Sequence, residues 1–263
     1  MTFHVVIPAR YASTRLPGKP LLDIGGRTMI QRVVEQAAAS GADEVIVATD
    51  DARIAAAVHD PRRIGASIAV MTDPELPSGT DRVAVVATAR GWSDDTIVVN
   101  VQGDEPFVPP CLIDQVAQLL ADDPAASIAT LAAPIDSLHD YLDPNVVKVV
   151  HAAAGAALYF SRAPIPWSRD GAPSGVASQA EFAGALRHVG MYAYRVGALQ
   201  RITALSPSSL ELTEKLEQLR ALQAGMRIVV AECAEPPGPG IDTAVDLERA
   251  RARVAGQKAR ISR

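Results

Sequence analysis

The chain has 263 residues, 48% of them hydrophobic but only 4% aromatic, and a formal net charge of −5. This length can bury a sizeable core of small aliphatic side chains, which is typical of a soluble α/β enzyme. The acidic balance argues against a nucleic acid as partner, because such binding needs a basic face, and no apolar stretch approaches the roughly 20 residues of a membrane span.

The start of the chain predicts a strand that leads into a phosphate-binding turn. Val5–Ile7 form a short apolar run, and Pro8, which has no N–H to donate, is expected to end its ladder. Arg10, Arg15 and Lys19 follow within one turn. Ligands of open α/β sheets bind beyond the carboxyl ends of strands, so these cations are expected to hold a polyphosphate rather than form a solvated charge run. A P-loop is excluded, because the lysine is followed by proline.

Apolar patterns over the first hundred residues predict alternating strands and helices. The predicted strands are Val5–Ile7, Glu44–Thr49, Ile68–Met71 and Thr96–Gln102, and the predicted helices are Met29–Ala39, Asp51–Val58 and Asp81–Arg90. This order predicts a parallel sheet with helices on both faces, a three-layer αβα fold.

The third predicted helix begins at a cluster that can bind a base. In Ser78-Gly79-Thr80-Asp81-Arg82, small residues let backbone amides approach a flat ligand, and a cation follows on the first helical turn. The competing interpretation is a simple helix N-cap at Ser78 or Thr80, which this segment alone favours.

Two aspartates are candidate metal ligands. Asp104 follows a buried strand in the run Asn100–Pro106, and Asp242 lies in a Pro/Gly-rich loop before the last predicted helix. Mg²⁺ prefers one or two carboxylates together with phosphate oxygens and water. Asp104 could instead stabilise its own turn, and Asp242 could be only an N-cap. Together with the three N-terminal cations, the pair indicates metal-assisted phosphoryl-group chemistry.

The pattern changes from residue 126 onwards. Four strand-like runs follow one another with little helix between them, at Ile128–Ala133, Val146–Ala152, Ala157–Ser161 and His188–Tyr194. We expect a smaller β-rich, antiparallel or mixed subdomain over about residues 134–195, with Ala163–Gly175 as a long loop.

The C-terminal part predicts a return to helix and strand. Leu210–Gln223 reads as one amphipathic helix with Leu212, Leu216, Leu219 and Leu222 on one face. A last strand at Ile228–Ala231 precedes a helix from Ala244 to about Val254, and the basic tail is assigned no function.

Cysteine usage indicates a reducing compartment. Cys111 and Cys233 are too few for a disulfide framework and lack the spacing of a metal site. No cationic segment followed by a long apolar one opens the chain. We therefore expect a cytoplasmic protein.

Seven segments form an ordered set of motifs over nearly the whole chain: Pro8–Leu21, Ser78–Arg82, Asn100–Pro106, Tyr159–Arg162, Arg187–Tyr192, Leu216–Arg220 and Gly240–Thr243. This set resembles the 3-deoxy-manno-octulosonate cytidylyltransferase (CMP-Kdo synthetase) family. The resemblance implies the nucleotide-diphospho-sugar transferase fold, with a Rossmann-like mixed sheet, in a single domain over residues 1–263. It implies the reaction of CTP with Kdo to give CMP-Kdo and pyrophosphate, in a cytoplasmic homodimer that serves lipopolysaccharide inner-core synthesis and dimerises through the β-rich subdomain.

The resemblance also implies roles for individual residues. Those expected on CTP are Ala9, Arg10, Arg15, Lys19, Ser78, Gly79, Thr80, Arg82 and Gln102. Those expected on the sugar acid are Gln102, Arg162, His188, Tyr192, Glu217 and Gln218. The implied Mg²⁺ ligands are Asp104 and Asp242, which together with Arg15 and Lys19 form the implied catalytic set. From chemistry alone, the planar donor fork of Arg162 suits a carboxylate, whereas a lone strand histidine such as His188 is more often structural.

Two alternatives stand beside this interpretation. The nearer one is a CMP-sialic acid synthetase, which the continuation Leu16-Pro-Gly-Lys-Pro-Leu21 disfavours. The alternative from another class is a non-catalytic module that binds polyphosphate or nucleic acid through the N-terminal cations alone. Asp104 and Asp242 argue against that module, because without a metal they would repel phosphate.

The segment 163–185 departs from the family pattern by being longer and richer in proline and glycine.

Overall fold

The fold is built on a mixed sheet with helices on both faces, and the computed structural model describes residues 1–12, 16–59, 62, 68–172 and 174–261. Within these residues the strands are β1 (Phe3–Ala9), β2 (Glu44–Thr49), β3 (Ala69–Met71), β4 (Ile97–Asn100), β5 (Ile128–Pro134), β6 (Lys148–His151), β7 (Ala157–Ser161), β8 (Leu186–Arg195) and β9 (Ile228–Glu232). The helices are α1 (Met29–Ala38), α2 (Ala52–Ala57), α3 (Gly79–Arg90), α4 (Pro110–Asp122), α5 (Leu138–Leu142), α6 (Val196–Ala204), α7 (Ser209–Glu214), α8 (Gln218–Gln223) and α9 (Ala244–Ile261).

The first four strands form the predicted parallel block. The sheet order is β3-β2-β1-β4-β8-β5-β9, and β1 pairs in parallel with both β2 and β4. Val5 and Ile7 pack into the core on one face of β1, while Val6 packs into the core on the other. A strand covered on both faces needs a continuous apolar run, which explains why the sequence pattern identified it.

β1 continues through Pro8 to Ala9, so the expectation that Pro8 ends the ladder is wrong. The carbonyl of Val6 accepts a hydrogen bond from Val101 on the β4 side, and alternate residues of a strand face the same way, so Pro8 also faces that side. β4 has already ended there, at Asn100 opposite Val6. The missing N–H therefore leaves no ladder bond unmade, and Ala9 stays paired with β2.

β8 turns the parallel sheet into a mixed one. It runs antiparallel between β4 and β5, and β5 pairs in parallel with β9. β5 and the second half of β8 therefore belong to the central sheet and not to a separate β-rich unit. The first half of β8 runs past the carboxyl end of β4, because Tyr192 lies opposite Asn100, and there it pairs with β6 of the β6–β7 pair. The division at about residues 134–195 stays a prediction.

Two helices outside the predicted set cover the sheet. α4 buries Leu112, Ile113, Val116 and Leu120, a spacing typical of an amphipathic helix, so the signal was present in the sequence. α6 buries its apolar side chains in the same way on the other face. Among the helices that the structure describes, none combines the length and apolar character needed to cross a bilayer.

The prediction of one helix over Leu210–Gln223 is wrong. α7 ends at Glu214. Its C-cap residue, Lys215, has a φ of 54° in the left-handed region, and α8 begins at Gln218. Leu212, expected on the apolar face, is 54% exposed, whereas Leu216 and Leu219 are buried. A left-handed residue reverses the chain direction, which lets α8 enter the core while α7 stays at the surface.

Candidate active site

A cleft of about 440 Å³ opens beyond the carboxyl ends of β1 and β4. Its lining residues are Pro8, Ala9, Arg10, Ala12, Lys19, Pro20, Gln102, Gly103, Asp104 and Asp242. The structure thus brings together expected nucleotide, metal and catalytic residues from three distant parts of the chain. Arg15, which was expected with them, lies outside the described residues.

The turn after β1 is anchored through Tyr11. Its backbone N–H donates a long hydrogen bond of 3.4 Å to Asp50, and the guanidinium of Arg53 lies 3.5 Å from the centre of its ring. Gly18 closes the turn with a φ of 66°, and a Cβ there would lie 3.2 Å from the Tyr11 hydroxyl. Both facts favour glycine. The chain then enters a short 3₁₀ turn that begins with Lys19. As a whole residue, Lys19 is only 9% exposed.

The turn after β4 places Asp104 beside the end of β1. A Cβ on Gly103 would lie 2.8 Å from the carbonyl oxygen of Pro8, so the close approach of these two backbones requires glycine. The carbonyl of Asp104 accepts a hydrogen bond of 3.0 Å from the N–H of Ile241. This bond ties the turn to the loop that carries the second aspartate.

That loop holds Asp242 through the start of α9. The carboxylate of Asp246 accepts hydrogen bonds from the N–H of Asp242 at 3.2 Å and from the N–H of Thr243 at 2.9 Å. The Thr243 hydroxyl accepts from the N–H of Asp246 at 3.2 Å, so Thr243 caps the helix. The interpretation of Asp242 as only an N-cap is therefore excluded, and its carboxylate lines the cleft.

Lys19 joins the two aspartates. Its Nζ lies 2.6 Å from Oδ2 of Asp104 and 2.9 Å from Oδ1 of Asp242. Because both carboxylate oxygens contact the same Nζ, they lie no more than about 5.5 Å apart. The lysine side chain is 11% exposed, against 39% and 52% for its partners, so the ammonium lies beneath carboxylates that face the cleft. We call this arrangement the Lys19 bridge.

The pair has the donor chemistry that Mg²⁺ requires. Among the described residues, no group of three His, Cys, Asp or Glu side chains is arranged to hold a metal. Two carboxylates are enough for Mg²⁺, which completes its shell with phosphate oxygens and water. A cation already lies between Asp104 and Asp242 as the Lys19 ammonium. The residues therefore fit a magnesium site that is completed by a polyphosphate.

Glu105 is a charged neighbour of the cleft that was not among the expected site residues. Burial, reinforced by the charges of Asp104 and Asp242, raises the pKa of the Glu105 carboxyl to about 7, although Arg187 opposes the shift. Its only sequence signal is its place next to Asp104 in a turn that follows a buried strand. The shift of the Glu105 pKa is caused mainly by burial, and the two aspartates add to it.

The expected cytidine segment adjoins the cleft at the start of α3. Ser78 and Asp81 form a capping box, so the N-cap interpretation of this segment holds structurally. A Cβ on Gly79 would lie 3.1 Å from Cγ of Pro8, which itself lines the cleft. Thr80 is buried and contacts the hydroxyl of Tyr194.

Arg82, expected on CTP, is fully buried inside the protein. Its Nη2 donates to Asp50 at 2.7 Å, and its Nη1 donates to the hydroxyl of Thr72 and to the carbonyl of Asp73 at 3.1 Å. Asp50 also accepts the N–H of Tyr11. Arg82 therefore links α3 to the turn after β1 and does not line the cleft.

His188 and Tyr192, expected on the sugar acid, lie side by side on β8. Their ring centroids are 5.1 Å apart, and Tyr194 continues the row 5.7 Å beyond Tyr192. Nε2 of His188 lies 2.9 Å from the Thr130 hydroxyl, and burial lowers the pKa of His188 to about 3, so the ring is neutral at neutral pH. Burial raises the pKa of Tyr192, to which the charge of Glu217 contributes.

Arg162 lies at the junction of α7 and α8. Its Nε donates to the carbonyl of Glu214 at 2.7 Å and its Nη1 to the carbonyl of Pro144 at 2.8 Å. Glu217 and Gln218 open α8 immediately after the junction. None of these three expected sugar residues lines the 440 Å³ cleft, so with His188 and Tyr192 they form a separate group beside the first half of β8.

Comparisons with known proteins decide the family. The sequence pattern of the family described as Cytidylyltransferase matches residues 4–228. Two proteins named 3-deoxy-manno-octulosonate cytidylyltransferase are 55% and 59% identical to this chain. The first, from Thioalkalivibrio sulfidiphilus, aligns over 95% of this chain and 97% of its own, and the second, from Xanthomonas euvesicatoria pv. vesicatoria, over 96% of both. This chain belongs to the 3-deoxy-manno-octulosonate cytidylyltransferase family.

Solved structures agree with the family assignment. A structure of CMP:2-keto-3-deoxy-manno-octonic acid synthetase complexed with CTP is 45% identical, with a TM-score of 0.84 over 97% of this chain and 99% of that one. A cytidylyltransferase from Leptospira borgpetersenii, at 15% identity and a TM-score of 0.58 over 97% of this chain and 86% of that one, shares the fold alone. The predicted αβα nucleotidyltransferase fold with a mixed sheet is confirmed, as is the resemblance to the 3-deoxy-manno-octulosonate cytidylyltransferase family.

Proposed function

We propose that this enzyme transfers CMP from CTP to the anomeric hydroxyl of Kdo and releases pyrophosphate. Membership of the 3-deoxy-manno-octulosonate cytidylyltransferase family supports the reaction. The structural observation that carries the proposal is the Lys19 bridge, a cation between two carboxylates at the strand edge where α/β folds bind nucleotides. We place the reaction in the cytoplasm, where it serves lipopolysaccharide inner-core synthesis.

The hydroxyl oxygen of Kdo attacks the α-phosphorus of CTP in line. A bond forms between this oxygen and the phosphorus as the hydroxyl proton passes to solvent water, the bond from the phosphorus to the β-phosphate oxygen breaks, and pyrophosphate leaves with the electron pair. Such chemistry depends on positioning and on charge neutralisation more than on covalent participation of the protein. Arg10, exposed at the rim, and Lys19, beneath it, supply positive charge to the triphosphate.

Asp104 and Asp242 would hold Mg²⁺. When bound there, the ion would supply positive charge that offsets the negative charge of the α-phosphate. The protein's own contribution is to fix both carboxylates, one through the Gly103 turn and the other through the Thr243–Asp246 capping box. The adjoining start of α3 can offer its backbone to the cytidine.

The group beside β8 is suited to a sugar acid. Neutral His188 and Tyr192 offer hydrogen-bonding atoms on rigid strand positions, and the guanidinium of Arg162 matches a carboxylate. Tyr192 lies opposite Asn100, the last residue of β4, and His188 lies farther along β8, beyond the end of β4 that leads to Gln102. Gln102 lines the cleft, and we assign it a position between the two substrates.

We also propose a homodimer formed through the β6–β7 region. The family resemblance implies dimerisation through this region, and Leu158 on β7, 63% exposed, and Trp167 in the loop after β7, 42% exposed, are large apolar side chains that a partner would cover. Light scattering of the purified protein should give twice the chain mass. Leu158→Lys should shift the molecule toward the monomer, whereas an unchanged monomeric mass in both proteins would contradict the proposal.

A pyrophosphate-release assay tests the activity. The enzyme is given CTP and Mg²⁺ with either Kdo or N-acetylneuraminate, and Asp104→Asn serves as the inactive control. We expect release with Kdo and little release with the nine-carbon acid. Preference for N-acetylneuraminate would favour the sialic acid alternative, and release with neither acid would reject the sugar-activating function.

A further inference from the structure

We propose that Lys19 is a built-in competitor of the divalent cation: its ammonium holds the acidic pair while nucleotide is absent and moves off the pair when metal and triphosphate bind. The inference rests on the proposed function, specifically on the assignment of Mg²⁺ to Asp104 and Asp242. It adds a step to that function, an exchange of cations between the protein's own side chain and the bound metal.

The first support is the geometry of the Lys19 bridge. One ammonium contacts both carboxylates, at 2.6 and 2.9 Å, although the aspartates lie 85 and 223 residues away from it in the chain. Two carboxylates this close repel each other unless a cation lies between them. The lysine therefore keeps the pair assembled without metal, and it does so at the place where a metal would have to bind.

The second support is charge. Two carboxylates and one ammonium leave a net single negative charge, which attracts a dication far less than the uncovered pair would. A dication and the ammonium would also repel each other at this distance. Because the lysine side chain is only 11% exposed, solvent screens this repulsion poorly. The wild-type pair should therefore bind a free divalent cation weakly.

The third support is that the nucleotide offers Lys19 another partner. Lys19 lines the same cleft as Arg10, where the triphosphate is expected, so phosphate oxygens can replace the carboxylates around its ammonium. A lysine ammonium is a compact charge on a flexible stem and can make this move without a backbone change. Metal and nucleotide should therefore bind together rather than independently.

Binding of Mn²⁺ in the absence of nucleotide tests the competition. Electron paramagnetic resonance measures the dissociation constant of Mn²⁺ for the wild type, Lys19→Gln, Lys19→Met and the matched control Lys215→Gln, an exposed lysine outside the cleft. We expect either substitution at Lys19 to tighten Mn²⁺ binding by about tenfold or more. The control should leave it unchanged, and adding Asp104→Asn to Lys19→Gln should abolish the gain.

The movement itself has a separate readout. The chain has four lysines, Lys19, Lys148, Lys215 and Lys258, so selective ¹⁵N labelling of lysine gives a small set of ammonium signals. The signal absent from Lys19→Gln belongs to Lys19. It should shift when Mg²⁺ and CTP are added without the sugar acid. Lys148, which is fully buried and donates to three backbone carbonyls, should keep its signal and serves as the internal control.

The outcomes separate the inference from the proposed function. Equal or weaker Mn²⁺ binding in both Lys19 variants overturns the competition, and it leaves the metal assignment intact if Asp104→Asn still weakens binding. An unmoved Lys19 signal at saturating Mg²⁺ and CTP overturns the exchange. If Asp104→Asn leaves the dissociation constant of Mn²⁺ unchanged, both the inference and the assignment of the metal to this pair are rejected. Pyrophosphate release from CTP and Kdo tests the activity independently.

Discussion

Replacing Arg82 by methionine separates a structural role for this arginine from a role in CTP binding. Methionine has a similar length but neither the charge nor the donors of the guanidinium. In the variant, the Asp50 carboxylate loses its 2.7 Å partner, and the Thr72 hydroxyl and the Asp73 carbonyl lose a donor. A buried charge without its partner is strongly unfavourable.

The size of the effect follows from the burial of the two side chains. Removing one partner of a buried ion pair costs about 3–5 kcal/mol in the free energy of unfolding. The Asp50 side chain is 12% exposed and can recover some hydration, which places the expected loss at about 3 kcal/mol. For a chain of this size that corresponds to a fall in Tm of about 6–12 °C.

Urea unfolding of the two single variants and the double variant measures this energy. Asp50→Asn removes the charge that Arg82→Met leaves unpaired, so the double variant should lose less than the sum of the singles, by about 1–3 kcal/mol. Calorimetric titration with CTP runs in parallel. A loss of stability below about 1 kcal/mol, combined with clearly weaker CTP binding, would refute the structural assignment and restore Arg82 as a nucleotide ligand.

Four further outcomes are expected. Lys19→Ala should lower the turnover number more than it raises the KM for CTP, because the lysine offsets charge that grows on the leaving pyrophosphate; an unchanged turnover number would make it a ground-state anchor. Arg162→Lys should impair use of Kdo and spare CTP, because a point charge cannot replace a planar fork, and equal losses for both substrates would indicate a folding defect instead. Asp104→Asn and Asp242→Asn should each remove most turnover with an unchanged circular dichroism spectrum, and nearly full activity in either would reject the metal assignment. The pKa of His188 is about 3 in the folded protein and about 6.5 in the unfolded chain, so the unfolded state binds the extra proton between these values. Stability should therefore fall as the pH drops below about 6.5, by up to about 1.4 kcal/mol per pH unit, and His188→Gln should flatten this slope in urea titrations; equal slopes would contradict it.

The parallel half of the fold could be predicted because its strands are buried on both faces. Such strands appear as continuous apolar runs, and their alternation with helices indicates a parallel sheet. The meeting of Asp104 with Asp242 could be expected from the position of both before or after predicted elements at one edge of the sheet and from the family resemblance, although nothing local links them. The break at Lys215 could not be predicted, because the residue adopts a left-handed conformation without glycine or asparagine to signal it.

The partners of the cations were beyond sequence reasoning. Arg82 was expected on CTP as a cation on a first helical turn, whereas in the structure it is paired with Asp50, which comes from the end of a different strand. Lys19 was expected on phosphates, yet without nucleotide its ammonium contacts the two aspartates. A pattern of charges in the sequence identifies candidate site residues, whereas the tertiary structure decides which of them form ion pairs.

The place of Asp242 in the chain has a consequence for synthesis. A ribosome releases Lys19 and Asp104 early, and all the strands described above precede Asp242. The Ile241 N–H holds the loop that carries Asp242 against the Asp104 turn, and α9 packs Leu247 and Val254 against the segment that contains Ile24. A nascent or proteolysed chain that ends after β9 would keep every strand described above but lack Asp242, so we expect such a chain to form its sheet without one half of the proposed metal site.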